Sequence, residues 1–178
     1  EHKLDCVPWY NLILTERKTM NVLSLFDGMS CGRIALDRLG IKPTNYFASE
    51  IDKSAIKCSK ANWNDITHIG DVTKVSYEDG VLYTENGEYE VEIDLLIGGS
   101  PCQDFSSARA MGTNGVIPQG LKGDKSGLFY EYLRILNEIK THNPGVVWLL
   151  ENVKMKKSNK EALDNYLGVE GKHINSSL

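Results

Sequence analysis

Leu95-Leu96-Ile97-Gly98-Gly99-Ser100-Pro101-Cys102-Gln103-Asp104-Phe105-Ser106 joins a short apolar run to two glycines and then to a cysteine at the head of a polar, glycine-rich segment. Apolar runs this short, bounded by turn residues, read as buried strands. The thiol therefore stands at the carboxyl end of a strand, where open α/β sheets hold their ligands. Gly98 and Gly99 allow a sharp turn and close approach to the backbone. Pro101 fixes the torsion just before the thiol, so that Cys102 is presented in a set direction. Taken alone, the same cysteine also reads as a small apolar residue beside a turn, since free cysteine is commonly buried. Its neighbours along the chain decide between the two.

Similar strand ends recur on both sides of it. Val22 to Phe26 reads as a first strand, and Asp27 to Gly32 turns into a helix, Arg33 to Leu39, with Ile34, Ala35 and Leu39 inward and Gly40 as its stop. Tyr46 to Glu50 is a second strand ending on an acid; Asp52 caps a helix to about Ala61, and His68 to Val72 is a third strand. Val81 to Thr84 and Tyr89 to Val91 flank Asn86-Gly87, a strong hairpin signal, so a small antiparallel insertion precedes the fourth strand, Asp94 to Ile97. That insertion reads as decoration. Ser126 caps a helix with Leu128, Phe129, Tyr132, Leu133, Leu136 and Ile139 in one apolar stripe. Val146 to Leu150 is a fifth strand, apolar without a break, from which Glu151 and Asn152 emerge. Ser158-x-x-Glu161 is a capping box opening a last helix that Gly168 ends, and His173 to Leu178 starts another strand. Alternating strands and helices predict an α/β fold, doubly wound, with a mainly parallel sheet and helices on both faces.

With 178 residues, 41% hydrophobic and 25% charged, the chain has the composition of one globular domain. Residues 1–19 form an N-terminal extension of unassigned role, and residues 20–178, beginning at a Met that looks like a natural start, form the domain. A formal net charge of −4 gives no general attraction for a polyanion, so nucleic acid would have to meet a local basic patch. The segment from Gln103 to Lys125, with Arg109, Lys122 and Lys125 among its glycines, offers one and reads as a functional lid. Cys6, Cys31, Cys58 and Cys102 are far apart and the histidines are not at ligand spacing, which predicts no metal site. No run has transmembrane length and there is no signal peptide pattern, which predicts a soluble, intracellular protein without membrane contact.

Phe26-Asp27-Gly28-x-x-x-Gly32 at a strand-to-helix turn suits a nucleoside-bearing cofactor, because glycines admit it to the backbone and the helix terminus. Eighteen residues beyond Gly32, Glu50 ends the next strand in position to hydrogen-bond ribose hydroxyls. Asp71 adds an acceptor where an adenine amino group would lie. The turn is not the G-x-G-x-x-G of nicotinamide enzymes, which argues against a pyrophosphate. Glu151 ends the strand beside the one leading to Cys102, so carboxylate and thiol should face one cleft. A thiol nucleophile, an acid and an adenosine-type cofactor together imply nucleophile-assisted group transfer.

Leu25 to Gly32, Ala48 to Asp52, Gly70 to Val72, Gly98 to Gln103 and Glu151 to Val153 together resemble the DNA (cytosine-5)-methyltransferases, closest in wording to the de novo branch and its bacterial or phage relatives. The resemblance covers about Met20 to Leu178. It implies a Rossmann-like sheet in the order 3-2-1-4-5 and S-adenosylmethionine as cofactor. Phe26 and Ile51 would sandwich the adenine, Glu50 would hold the ribose, and Asp71 and Val72 the adenine edge. Asp27, Gly28, Ser30 and Gly32 belong to the matched cofactor loop. Pro101 would line the site, on the cofactor and the catalytic side alike. It further implies that Cys102 attacks carbon-6 of a cytosine flipped out of double-stranded DNA, that Glu151, followed by Asn152, serves ring nitrogen 3, and that the Gln103 to Lys125 segment clamps the DNA. The setting would be the cytoplasm of a bacterial or phage-infected cell. The family's Gln-x-Arg-x-Arg segment, target-recognition region and late Asn-containing motif do not follow Leu178, so the expectation is the cofactor-and-nucleophile half, C-terminally truncated, with impaired turnover. Two other readings fit the same motifs: a catalytically silent cofactor- or partner-binding paralogue, and an RNA cytosine-5 methyltransferase.

Overall fold

A computed structural model describes residues 20–99, 127–153, 157–172 and 174. Its main sheet has five strands, β1 (Asn21–Leu25), β2 (Asn45–Ser49), β3 (Ile66–Gly70), β7 (Leu95–Gly99) and β8 (Val147–Glu151), in the order β3-β2-β1-β7-β8. Every pairing in it is parallel. Three short strands, β4 (Ser76–Glu78), β5 (Val81–Thr84) and β6 (Gly87–Glu90), form a separate antiparallel sheet around the expected hairpin. The helices are α1 (Cys31–Arg38), α2 (Lys53–Asn62), α3 (Gly127–His142) and α4 (Lys157–Leu167). The expected order of the five long strands and the alternation of strand and helix are both present.

Successive residues of a parallel strand point to opposite faces, and here both faces are covered. Leu23, Leu25, Phe47, Ile69 and Leu96 pack on one side with Tyr132, Ile135, Leu136 and Ile139 of α3. Val22, Tyr46, Ala48 and Leu95 pack on the other with Leu36 of α1. The chain runs outward from β1 through β2 to β3, then returns to place β7 on the opposite side of β1. The reversal puts the switch point of the sheet between β1 and β7, beyond whose carboxyl ends doubly wound sheets bind ligands.

Several local expectations are corrected. The inward face of α1 is not Ile34, Ala35 and Leu39: Ile34 is 36% and Leu39 58% exposed, whereas Arg33 and Leu36 are buried. The cause is the close seat of the helix on the sheet through Gly32, where a Cβ would collide with the Ile97 side chain and lie 2.9 Å from the Tyr46 hydroxyl. That rotation turns Arg33 inward, and its charge is met by Asp65 at 3.0 Å and by the Trp63 ring at 4.3 Å. The fifth strand is not a core strand. Among the described residues β8 is the edge of the sheet, its Leu149 is 57% exposed, and Glu151 is exposed rather than rising from the interior. Helix α4 already includes Lys157, which puts Ser158 inside it rather than at its cap, while Gly168 does end it in the left-handed conformation at φ +69°. Ser126, Pro101, Cys102 and the segment from Gln103 to Lys125 lie outside the described residues, as do residues 1–19.

Gly98 shows why the turn after β7 is built from glycine. A Cβ there would stand 3.0 Å from the Leu25 carbonyl oxygen and 3.0 Å from the Tyr132 ring, both fully or nearly fully enclosed. A backbone carbonyl in a parallel ladder has no room to retreat. Gly98→Ala should therefore lower stability by about 1–3 kcal/mol, the usual cost of overpacking, and the urea midpoint measures it.

Candidate active site

The loop from β1 to α1 alternates between ordinary and left-handed backbone, with φ of 57° at Phe26, 58° at Gly28 and 65° at Ser30. Left-handed backbone at non-glycine residues costs on the order of 1–3 kcal/mol each and persists only where the surroundings enforce it. Asp27 does so. It is 7% exposed, its N–H donates to the Ser49 carbonyl at 3.1 Å, and its carboxylate accepts the Tyr46 hydroxyl at 2.8 Å and the Ser30 hydroxyl at 2.5 Å. Phe26, half-buried, packs on the main core.

The chain of hydroxyls continues inward. Ser30 and Ser59 oxygens are 2.6 Å apart, and Ser59 lies 3.4 Å from His68 Nε2. Because Ser30 spends its single proton on Asp27, Ser59 must donate to Ser30, which leaves His68 Nε2–H as donor to Ser59. The other ring nitrogen of His68, Nδ1, is buried and unpartnered. Burial, with help from Lys60, pushes its pKa below the ordinary 6.5, against a smaller opposing pull from Asp27. Tyr46 is held strongly protonated by burial and by the Asp27 charge.

Glu50 ties the loop to the next strand. One carboxylate oxygen accepts the Gly28 N–H at 2.8 Å, and the other accepts the N–H groups of Ile51 and Asp52, each at 2.8 Å. Parallel register makes this possible, since Leu25 pairs with Ser49 and the following residues leave the sheet side by side. Asp52, as expected, caps α2 through the Ala55 N–H at 2.7 Å. Around this carboxylate the surface is open: nothing would lie within 4 Å of a Cβ on Gly28, and the apolar side chains of Ile51 and Met29 are 71% and 55% exposed.

At the end of β3, Asp71 Oδ1 accepts the Thr73 N–H at 2.9 Å and so caps the short 3-10 turn Val72–Lys74, whose Val72 side chain is buried. The Asp71 N–H is held at 3.2 Å by Glu85, a residue of the β5–β6 turn. Sequence reasoning missed Glu85: Asn86-Gly87 signals the turn but not where the turn docks. On the far side of β1, β7 and β8 pair so that Gly99 stands opposite Glu151. The Glu151 carboxylate leans over that glycine, with Oε2 only 2.9 Å from where a Cβ would be. Asn152 turns its Oδ1 onto the Val153 N–H at 2.8 Å. Phe26, Glu50, Asp71 and Glu151 thus sit at the carboxyl ends of β1, β2, β3 and β8, with Gly99 at the end of β7, which lies between β1 and β8.

Two of the expected cofactor residues have their side chains committed elsewhere. Asp27 is enclosed by its bonds to Tyr46 and Ser30, and Ser30 is fully buried, so both shape the loop from beneath. Gly32 serves the helix seat. Among the described residues no group of acids, histidines and cysteines is arranged to hold a metal, and no helix is long and apolar enough to cross a membrane. A lowered histidine pKa stabilises the fold above the unfolded value of 6.5, and that contribution is lost as pH falls toward the folded value. Urea midpoints taken at about pH 7.5 and about pH 5.5 should therefore fall more for the native chain than for His68→Gln, whose amide still donates to Ser59.

Comparison with known proteins bears on this edge of the sheet. The model of the C-5 cytosine-specific DNA methylase family matches residues 20–170. A DNA (cytosine-5)-methyltransferase DRM2 of Oryza sativa subsp. japonica is 37% identical over 147 residues, covering 78% of this chain and 23% of the relative. A Type II methyltransferase M.DsaV of Dactylococcopsis salina is 36% identical over 139 residues, covering 78% of this chain and 33% of its own length. The chain thus spans about a quarter to a third of the curated relatives it matches. A solved S-adenosylmethionine-dependent methyltransferase from Mesorhizobium loti is a distant likeness, with a TM-score of 0.42 and 9% identity over 80% of this chain and 51% of that one. With its family motifs at the ends of neighbouring parallel strands and the family model spanning residues 20–170, the chain belongs to the C-5 cytosine-specific DNA methylases.

Proposed function

We propose that this chain carries the cofactor and nucleophile portion of an enzyme that methylates carbon-5 of cytosine in DNA. The observation that carries the reading is the juxtaposition, across the switch point of the sheet, of the Glu50-braced glycine loop with Glu151 and its partner Gly99, which shortly precedes Cys102 in the chain. The residues at this edge fit S-adenosylmethionine. The loop is open above Gly28, exposed Ile51 and half-buried Phe26 offer apolar surface to an adenine, and the Glu50 carboxylate is ready to exchange backbone donors for ribose hydroxyls. Asp71 and Val72 serve the adenine edge. Residues 20–178 form the catalytic domain in this proposal, with residues 1–19 as an extension.

When bound, S-adenosylmethionine supplies an electrophilic methyl group. Cytosine carbon-5 is too poor a nucleophile to take it unaided. In the proposed mechanism the Cys102 thiolate forms a bond to carbon-6, and the ring electrons shift toward nitrogen 3, where Glu151 holds the proton that balances them. Carbon-5 becomes an enamine carbon that takes the methyl group and releases S-adenosylhomocysteine; the carbon-5 proton then passes to water as the Cys102–carbon-6 bond breaks, the nitrogen-3 proton returns to Glu151, and the thiolate is restored. Pro101 orients the thiol and Asn152 sets the strand end that carries Glu151. The ring face is inaccessible within a stacked duplex, so the base is flipped out of double-stranded DNA, and lysines and arginine of the Gln103 to Lys125 segment meet the phosphates. The proposed setting is the cytoplasm of a bacterial or phage-infected cell.

Labelled S-adenosylmethionine incubated with the full-length parent protein and either duplex DNA or tRNA should label DNA alone. Label in tRNA alone would move the substrate to RNA, and label in neither would favour a silent paralogue. Calorimetry separates the two halves of the site. Glu50→Ala should weaken S-adenosylmethionine binding about ten- to a hundredfold, the worth of one charge-assisted hydrogen bond, whereas Cys102→Ala should leave it nearly unchanged. Affinity indifferent to Glu50→Ala but abolished by Cys102→Ala would reverse the assigned roles.

A further inference from the structure

The β5–β6 hairpin, read from sequence as decoration, is fastened to the core at the cofactor edge of the sheet. Leu82 of β5 is fully buried, and the Tyr89 ring of β6 packs 4.9 Å from Phe47 of β2. At the tip, Asn86 Nδ2 donates to the His68 carbonyl at 3.1 Å, and Glu85 Oε1 accepts the Asp71 N–H at 3.2 Å. Between them Gly70, at φ +83°, leaves the space that Glu85 fills: a Cβ there would lie 2.7 Å from the Glu85 carboxyl carbon and 2.9 Å from its Cγ. The hairpin therefore grips β3 at His68 and Gly70, and Asp71 just beyond its end.

We propose that Glu85 is a positioning residue of the adenine subsite, acting by holding the Asp71 main chain. The inference rests on the cofactor reading above. Asp71 is fixed from both sides, its N–H by Glu85 and its Oδ1 by the Thr73 N–H at 2.9 Å. The direction of its second carboxylate oxygen, and of the Val72 N–H that opens the following turn, is set by that backbone. A carboxylate oxygen beside a free N–H matches a purine that presents a 6-amino donor next to a ring acceptor. A 6-oxo purine presents the reverse pattern and would set oxygen against oxygen. Glu85 thus governs discrimination between the two purines without touching either.

The test is calorimetry of S-adenosylhomocysteine and of its 6-oxo, inosine-type analogue against the native protein, Glu85→Ala and Glu85→Gln. Glu85→Ala should lose about five- to tenfold in affinity for the 6-amino ligand and should narrow the preference over the 6-oxo ligand. Glu85→Gln, whose amide oxygen still accepts the Asp71 N–H, should keep most of both. Glu85→Ala with native affinity and native preference would overturn the inference and leave the cofactor reading standing. So would an equal loss for both ligands in both variants, which marks a purely structural role. A native protein that binds neither ligand would overturn the cofactor reading and this inference with it.

Discussion

A single buried carboxylate holds the first crossover in shape. Asp27 follows β1 directly, takes the Tyr46 hydroxyl from β2 and the Ser30 hydroxyl from the start of α1, and passes its hold through Ser59 of α2 to His68 of β3. Left-handed Phe26 and Ser30 are sterically costly, and a loop left to itself would relax out of that conformation. An enclosed acid must keep its donors, because a buried unpaired charge costs far more than a strained torsion. The strain is thus enforced from below, and the upper surface of the loop is left free.

Glu50 works on the outer side of the same loop. Its three backbone donors come from Gly28, Ile51 and Asp52, so it joins the first and second crossovers. The two acids divide the labour by depth: Asp27 is sealed in the interior, and Glu50 is half open to water. An acceptor already aligned by main-chain donors loses little freedom when a ligand hydroxyl replaces one of them.

The topology explains why these groups share one edge with Glu151. All strands of the main sheet run the same way, so every carboxyl end lies on one side, and the switch point between β1 and β7 falls there. Gly98 and Gly99 let β7 end at this edge without a side chain. One cannot carry a Cβ without pressing on the Leu25 carbonyl, and the other is covered by the Glu151 carboxylate.

Much of this was legible in the chain itself. Apolar runs ending on acids or glycines, Asp52 as a cap and Asn86-Gly87 as a turn are local signals, written in torsional preference and in the periodicity of burial, and they gave the strands, α2 and the hairpin. The five family motifs gave the strand order and the candidate site residues. Tertiary structure decided what depends on partners distant in sequence. Helix α1 turns Arg33 inward and Ile34 outward because Gly32 lets it sit on Ile97, a neighbour absent from any local window. Asp27 and Ser30 look like ligand contacts in the motif but are closed off by Tyr46 and Ser59, and Glu151 is exposed because β8 lies at the edge of the described sheet. Glu85 reaches Asp71 only because the hairpin folds back onto β3. Local sequence determines where a strand ends and how it turns, since torsions are short-range; which side chain meets which, and hence which polar groups remain free, is set by packing across the whole chain.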